Sequence, residues 1–140
     1  MKVAVVFWSG TGNTGAMAQA VAEGAKGAGA EVALMGPSEF NADKAKEYDG
    51  IAMGCPAMGA EVLEEDEFQP MFDAVKGSLA GKKVALFGSY GWGDGEWMRM
   101  WEDDCNAAGI KLATESVICN EYPDDTAIDE CKALGASVAK

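Results

Sequence analysis

The sequence predicts a doubly wound α/β fold: a five-stranded parallel sheet with helices on both faces. Three observations predict it. Short apolar runs alternate with stretches whose apolar residues recur every three or four positions. Several of the runs are continuous in their apolar residues rather than alternating, which suits strands covered on both sides. The repeated order of strand then helix implies right-handed βαβ units. The 140 residues are read as one domain, 1–140, long enough to bury a full hydrophobic core.

Each element has its own signal. Strands are expected at Val3–Trp8, Glu31–Met35, Gly50–Gly54, Lys83–Ser89 and Lys111–Cys119, and the first, third and fourth are continuously apolar. The first helix is marked by Met17, Val21 and Ala25, four residues apart, with Ala18 and Ala22 beside them. A shorter helix is expected over Ala42–Glu47. Phe68, Phe72, Val75 and Leu79 mark the next, Trp97, Trp101 and Cys105 another, and Ile128, Cys131, Leu134 and Val138 the last. Trp97 and Trp101 sit at helical spacing and are read as core or helix-face residues.

Composition excludes several functions. Hydrophobic residues make up 49% and charged residues 24%, the balance of a soluble globular chain. No apolar run approaches the ~20 residues of a membrane span. The opening Met1–Phe7 reads as a strand rather than a signal peptide, so a cytoplasmic protein without membrane contact is expected. The absence of histidine removes Ser-His-Asp triads, histidine zinc motifs and histidine-ligated haem. The cysteines at 55, 105, 119 and 131 form no C-x-x-C pair. They are expected to be buried, reduced thiols, and no metal site is expected. The net charge is −12, and residues 61–130 hold 17 acidic against 5 basic side chains. That argues against nucleic acid and for basic protein partners.

In a doubly wound sheet, ligands bind beyond the carboxyl ends of the strands, where strand order reverses. The loops after the first, third and fourth strands are therefore the candidates. The first reads Ser9-Gly10-Thr11-Gly12-Asn13-Thr14-Gly15 and opens the first helix. Its glycines let the backbone approach a ligand, the helix start supplies unpaired N–H groups, and Ser9, Thr11, Asn13 and Thr14 add neutral donors. That combination suits one phosphate. Gly10–Gly15 also matches the G-x-G-x-x-G dinucleotide pattern, but Leu34-Met35-Gly36-Pro37 lacks the acidic residue that motif requires. A P-loop is excluded because no lysine follows the glycines.

The second loop, Cys55-Pro56-Ala57-Met58-Gly59-Ala60-Glu61, combines a stiffening proline and a turn glycine with a thioether suited to an aromatic ring. Glu61 offers an acceptor for a ring N–H. The third, Ser89-Tyr90-Gly91-Trp92-Gly93-Asp94-Gly95, sets one tryptophan among three glycines, which a planar ligand would justify. A terminal phosphate, a flexible linker and a flat, hydrogen-bonding ring describe flavin mononucleotide (FMN).

Trp8–Thr14, Gly54–Gly59 and Gly81–Gly95 resemble the flavodoxins, in particular the short-chain type of clostridial anaerobes, in order and spacing across essentially the whole chain. The resemblance implies a flavodoxin-like sheet of strand order 2-1-3-4-5. It implies a monomeric, non-enzymatic electron carrier using non-covalent FMN and cycling at low potential between semiquinone and hydroquinone. Residues 9–14 would hold the phosphate, Met58 the inner ring face, Trp92 the outer face, and Glu61 the flavin N3–H. The Gly59–Ala60 peptide would turn over on one-electron reduction, so that the Gly59 carbonyl accepts the new N5–H bond. The binding set it implies is Ser9, Gly10, Thr11, Gly12, Asn13, Thr14, Pro56, Ala57, Met58, Gly59, Ala60, Glu61, Ser89, Tyr90, Gly91, Trp92, Gly93 and Asp94. Partners would be basic redox proteins: ferredoxin-type reductases and ferredoxin-dependent oxidoreductases. Two features depart from the pattern. Ala60 stands where relatives often carry a polar residue, and Asn120–Glu130 is longer, so Asn120 is assigned no role.

Two other functions share this fold. An FMN-dependent NAD(P)H:quinone oxidoreductase or flavin reductase needs a second substrate pocket, for which the chain has little spare length. A response-regulator receiver needs carboxylates after the first strand, and residues 8–14 contain none.

Overall fold

The computed structural model describes residues 1–10, 12–58, 62–91 and 93–140. Five parallel strands form one sheet in the order β2-β1-β3-β4-β5. They are β1 (Lys2–Phe7), β2 (Glu31–Met35), β3 (Gly50–Gly54), β4 (Lys83–Tyr90) and β5 (Val117–Asn120). The helices are α1 (Asn13–Gly27), α2 (Ala42–Ala45), α3 (Phe68–Val75), α4 (Glu96–Ala107) and α5 (Asp125–Val138). No described helix is long and apolar enough to cross a membrane.

Burial explains why the central strands carry no polar alternation. Successive side chains of a strand point to opposite faces, and here both faces are covered. Val3, Val5, Ala52, Ala85 and Phe87 pack under α1 and α5 with Met17, Val21 and Leu134. Ala4, Val6, Ile51, Met53, Val84 and Leu86 pack on the other side with Phe68, Phe72, Trp97 and Trp101. Trp97 and Trp101 are thus core residues, as their spacing predicts.

Two elements differ from expectation by more than two residues, while α2 ends at Ala45 rather than Glu47. The fifth strand was expected over Lys111–Cys119, but only Val117–Asn120 is regular. Leu112 makes a single bridge to Val84, and Ala113 N–H donates to the Val84 carbonyl at 2.8 Å. The chain then leaves the sheet, and Ser116 Oγ donates to Glu102 of α4 at 2.7 Å. The third helix stops at Val75, and a 3-10 turn over Lys76–Ser78 carries Leu79 into the core.

Helices α1 and α5 approach closely because glycines face each other's backbone. A Cβ on Gly24 would collide with the Lys132 carbonyl, and one on Gly135 with that of Val21. A different device fixes the start of α3. The Glu64 side chain, in a residue only 6% exposed, accepts N–H bonds from Phe68 and Glu67 at 2.8 Å and from Asp66 at 2.9 Å. Burial works against its ionised form. The three donors outweigh burial and hold the carboxyl below its usual value of 4.5.

Gly24→Ala is expected to lose about 1–3 kcal/mol of stability by overpacking. Gly27→Ala, with open space around its added carbon, is expected to gain about 0.5 kcal/mol. Urea unfolding midpoints check both. Glu64→Gln is expected to cost about 1–3 kcal/mol at pH 7. Because the folded pKa is depressed, Glu64's contribution is full above pH 4.5 and fades as pH falls further. The gap between wild type and variant should therefore narrow on acidification, as read by urea unfolding at a series of pH values.

Candidate functional site

The loops after β1, β3 and β4 converge because the three strands end at one level. Phe7 pairs with Gly54, and Gly54 with Phe87. The ladder continues past the strand ends. Trp8 N–H donates to the Gly54 carbonyl at 3.0 Å, Cys55 N–H to that of Phe87 at 3.2 Å, and Ala57 N–H to that of Ser89 at 3.0 Å. Gly54 is required here, because a Cβ would collide with the Phe87 ring.

A cleft of about 210 Å³ opens at this rim. Ser9, Gly10, Asn13 and Thr14 form one side, Pro56, Ala57 and Met58 a second, and Ser89, Tyr90 and Gly91 a third. Ten of the residues predicted from sequence are therefore brought together. Among the described residues, Gly12, Gly93 and Asp94 do not line the cleft. Gly12 instead caps α1 with φ +95°, a left-handed conformation that favours glycine. Asp94 faces Arg99, 3.0 Å away. Thr11, Gly59, Ala60, Glu61 and Trp92 lie outside the described residues.

The first loop is organised around one hydroxyl. Ser9 Oγ accepts N–H bonds from Gly12 and Gly15, both at 3.1 Å. The N–H groups of Asn13 and Thr14 make no bond to any described residue, and no acidic side chain stands in the first turn of α1. The helix start thus presents donors without a partner among the described residues and a positive dipole end, the chemistry of an anion site. Gly10 lies under the Trp8 ring, which a Cβ would approach to 3.0 Å. Thr14 is 1% exposed, and its Oγ1 accepts from Ser89 N–H at 3.4 Å, joining the first loop to the third. No lysine or arginine is among the described lining. The residues present suit a phosphate bound by neutral groups beside an apolar slot for a ring.

The second loop closes on itself: Met58 and Val62 exchange backbone bonds of 2.8 and 3.0 Å. Cys55 beneath it is fully buried, and burial pushes its thiol up to about 12. Burial also raises Cys105 and Cys131 to about 12, so these thiols stay protonated at neutral pH. All four cysteines are free, but Cys119 is half-buried rather than buried as expected.

Sequence reasoning missed two lining residues, Trp8 and Glu121. Trp8 was assigned to the first strand, which ends one residue earlier. Its Nε1–H donates to Glu67 at 2.9 Å. Glu121 follows β5 with φ 60°, and a left-handed glutamate has no sequence signal. Its N–H donates to the Tyr90 carbonyl at 2.8 Å, and its carbonyl accepts from Ser89 Oγ at 2.5 Å. Asn120, given no role, donates from Nδ2 to the Tyr90 carbonyl at 3.3 Å.

Comparisons with known proteins agree with this geometry. Residues 5–135 match the family model described as flavodoxin. A flavodoxin of Megasphaera elsdenii is 45% identical over 99% of this chain and 98% of its own. One of Clostridium beijerinckii is 44% identical over 96% of this chain and 97% of its own. The solution structure of two-electron reduced Megasphaera elsdenii flavodoxin superposes with a TM-score of 0.90 over 98% of both chains. The chain belongs to the flavodoxins, FMN-binding proteins that carry electrons to partner proteins and are not enzymes.

Proposed function

We propose that this protein is a low-potential one-electron carrier that holds FMN non-covalently and works between the cofactor's semiquinone and hydroquinone forms. The observation that carries this reading is the cleft itself: N–H groups at the start of α1 with no partner among the described residues, and an apolar slot beside them, with no described cation in its lining. FMN supplies the redox chemistry when bound, and the protein binds it, orients it and sets its potential.

Ser9, Gly10, Thr11, Gly12, Asn13 and Thr14 hold the phosphate, with Ser9 shaping the loop and Thr14 tying it to β4. Pro56, Ala57, Met58, Gly59, Ala60 and Glu61 take one side of the ring, Glu61 as acceptor for a ring N–H. Ser89, Tyr90, Gly91 and Trp92 take the other, Trp92 as the stacking aromatic, and Gly93 and Asp94 complete the loop outside the described lining. Glu121 is added from the cleft lining.

The potential follows from charge. A carboxylate ~10 Å from an added electron opposes it by up to about 1.7 kcal/mol at an effective dielectric of ~20, or about 70 mV. Glu121 lines the cleft, Glu67 is hydrogen-bonded to its lining residue Trp8, and the chain carries −12 overall. The uncompensated phosphate acts in the same direction. The same acidity favours basic redox partners, ferredoxin-type reductases and ferredoxin-dependent oxidoreductases, met by a cytoplasmic monomer.

Purified protein offered FMN is expected to take up its colour and quench its fluorescence; colourless protein with unquenched flavin refutes the reading. Ser9→Ala removes the acceptor of two loop N–H groups. It is expected to weaken FMN binding by about 2 kcal/mol, about thirtyfold, in a fluorescence titration. Glu61→Gln is expected to raise the potential of the second electron by on the order of 70 mV, and an unchanged redox titration counts against the charge argument. Electron-transfer rates to a basic partner should fall as salt rises.

A further inference from the structure

Trp8 is held at two points. Its backbone N–H donates to the Gly54 carbonyl at 3.0 Å. Its indole Nε1–H donates to the Glu67 carboxylate at 2.9 Å, across 59 positions of sequence. Between these points the ring lies against Gly10: a Cβ built there would stand 3.0 Å from Trp8 Cη2 and 3.2 Å from Cζ3. Trp8 and Gly10 both line the cleft.

Glu67 spends its side chain away from its own helix. It occupies the N-cap position of α3, where a side-chain acceptor serves the N–H groups of the helix start. Its carboxylate makes no such bond. Glu64 does that work instead, accepting from Asp66, Glu67 and Phe68. The Glu67 carboxylate is therefore left for the indole, while the Glu64 bond at 2.8 Å holds the Glu67 backbone in place. Glu64 is itself tied to the loop after β3, where its N–H donates to Cys55 Sγ at 3.3 Å. The start of α3 is thus linked to the first loop through one tryptophan.

The Trp8–Glu67 bond joins a half-buried indole to an exposed carboxylate. Water competes for both partners, so the bond adds little to folding stability. What it selects is one orientation of a large ring, with the edge over Gly10. A loop shaped in advance binds more tightly than one that must be ordered by its ligand.

We propose that Glu67 is a positioning residue for the cofactor. It holds the Trp8 ring over Gly10 and so keeps the first loop in its ligand-binding shape. The inference rests on the reading that this loop holds the FMN phosphate. Fluorescence titration of the flavin-free full chain with FMN tests it. Glu67→Ala is expected to weaken binding about fivefold. Glu67→Gln keeps an acceptor oxygen and is expected to bind as tightly as wild type or more tightly. In a Trp8→Phe background, which has no indole N–H, Glu67→Ala is expected to cost nothing further. A role through charge alone predicts otherwise, since both substitutions at Glu67 remove the same charge and would act alike in either background. Wild-type affinity in Glu67→Ala, an equal loss in Glu67→Gln, or an equal loss in both backgrounds overturns the proposal. A second measurement holds even where a variant folds poorly. The Trp8 indole N–H resonance of FMN-loaded wild type, identified by its absence from Trp8→Phe, is expected to move upfield in Glu67→Ala and to stay near its place in Glu67→Gln. An unmoved resonance in Glu67→Ala overturns the proposal as well. Wild type that takes up no FMN refutes the cofactor reading and this inference together, whereas tight wild-type binding beside any of the other adverse results strikes this inference alone.

Discussion

The site depends on one alignment, the common level of Phe7, Gly54 and Phe87 across β1, β3 and β4. A parallel sheet delivers the carboxyl ends of its strands to one edge, but only the register makes three loops meet in a single cleft. Gly54 keeps that register by leaving room for the Phe87 ring. A one-residue slip would turn every buried side chain of β3 toward the opposite helix layer. Because both layers are filled, the slip has no low-energy alternative. The cleft is in this sense a product of the core.

The two helix layers reach the sheet by different means. Under α1 and α5 the packing is built from alanines, valines and the glycines that let the helix backbones approach. Under α3 and α4 it is built from tryptophans and phenylalanines. The small-residue layer sets the start of α1 close to the ends of the strands, where Thr14 reaches Ser89. The aromatic layer backs the loop after β3, where Trp97 holds the Cys55 carbonyl. One side of the site is thus anchored by backbone proximity and the other by large rigid rings. At the start of α1, N–H groups without a partner among the described residues and a helix dipole supply positive potential with no cation in the described lining.

Much of this was legible in the sequence. Unbroken apolar runs fixed β1, β3 and β4 to within a residue or two, because burial on both faces leaves no polar position to blur them. The place of the loop after β1 in the cleft was legible because its glycines and neutral donors at a helix start are written locally. What escaped depends on distant partners. Glu64 reads as one more acidic residue until the chain folds it under the first turn of α3. Glu121 lines the cleft through a backbone conformation its side chain does not advertise. The fifth strand was drawn too long, because Lys111–Cys119 has strand-like composition while Ser116 is pulled away by Glu102.

That broken edge has a further consequence. From Val84 to Phe87 the inner strand advances three residues, while its partner advances five, from Leu112 to Val117. The surplus loops out at the margin of the sheet, away from the strand ends that carry the cleft. An intermolecular strand seeking to extend the sheet meets an irregular border instead of a flat template, which protects an otherwise exposed margin from aggregation. The same spot is where evolution or a protein engineer could splice in extra residues at least risk to the cofactor site, since only one short pairing would need to re-form around them.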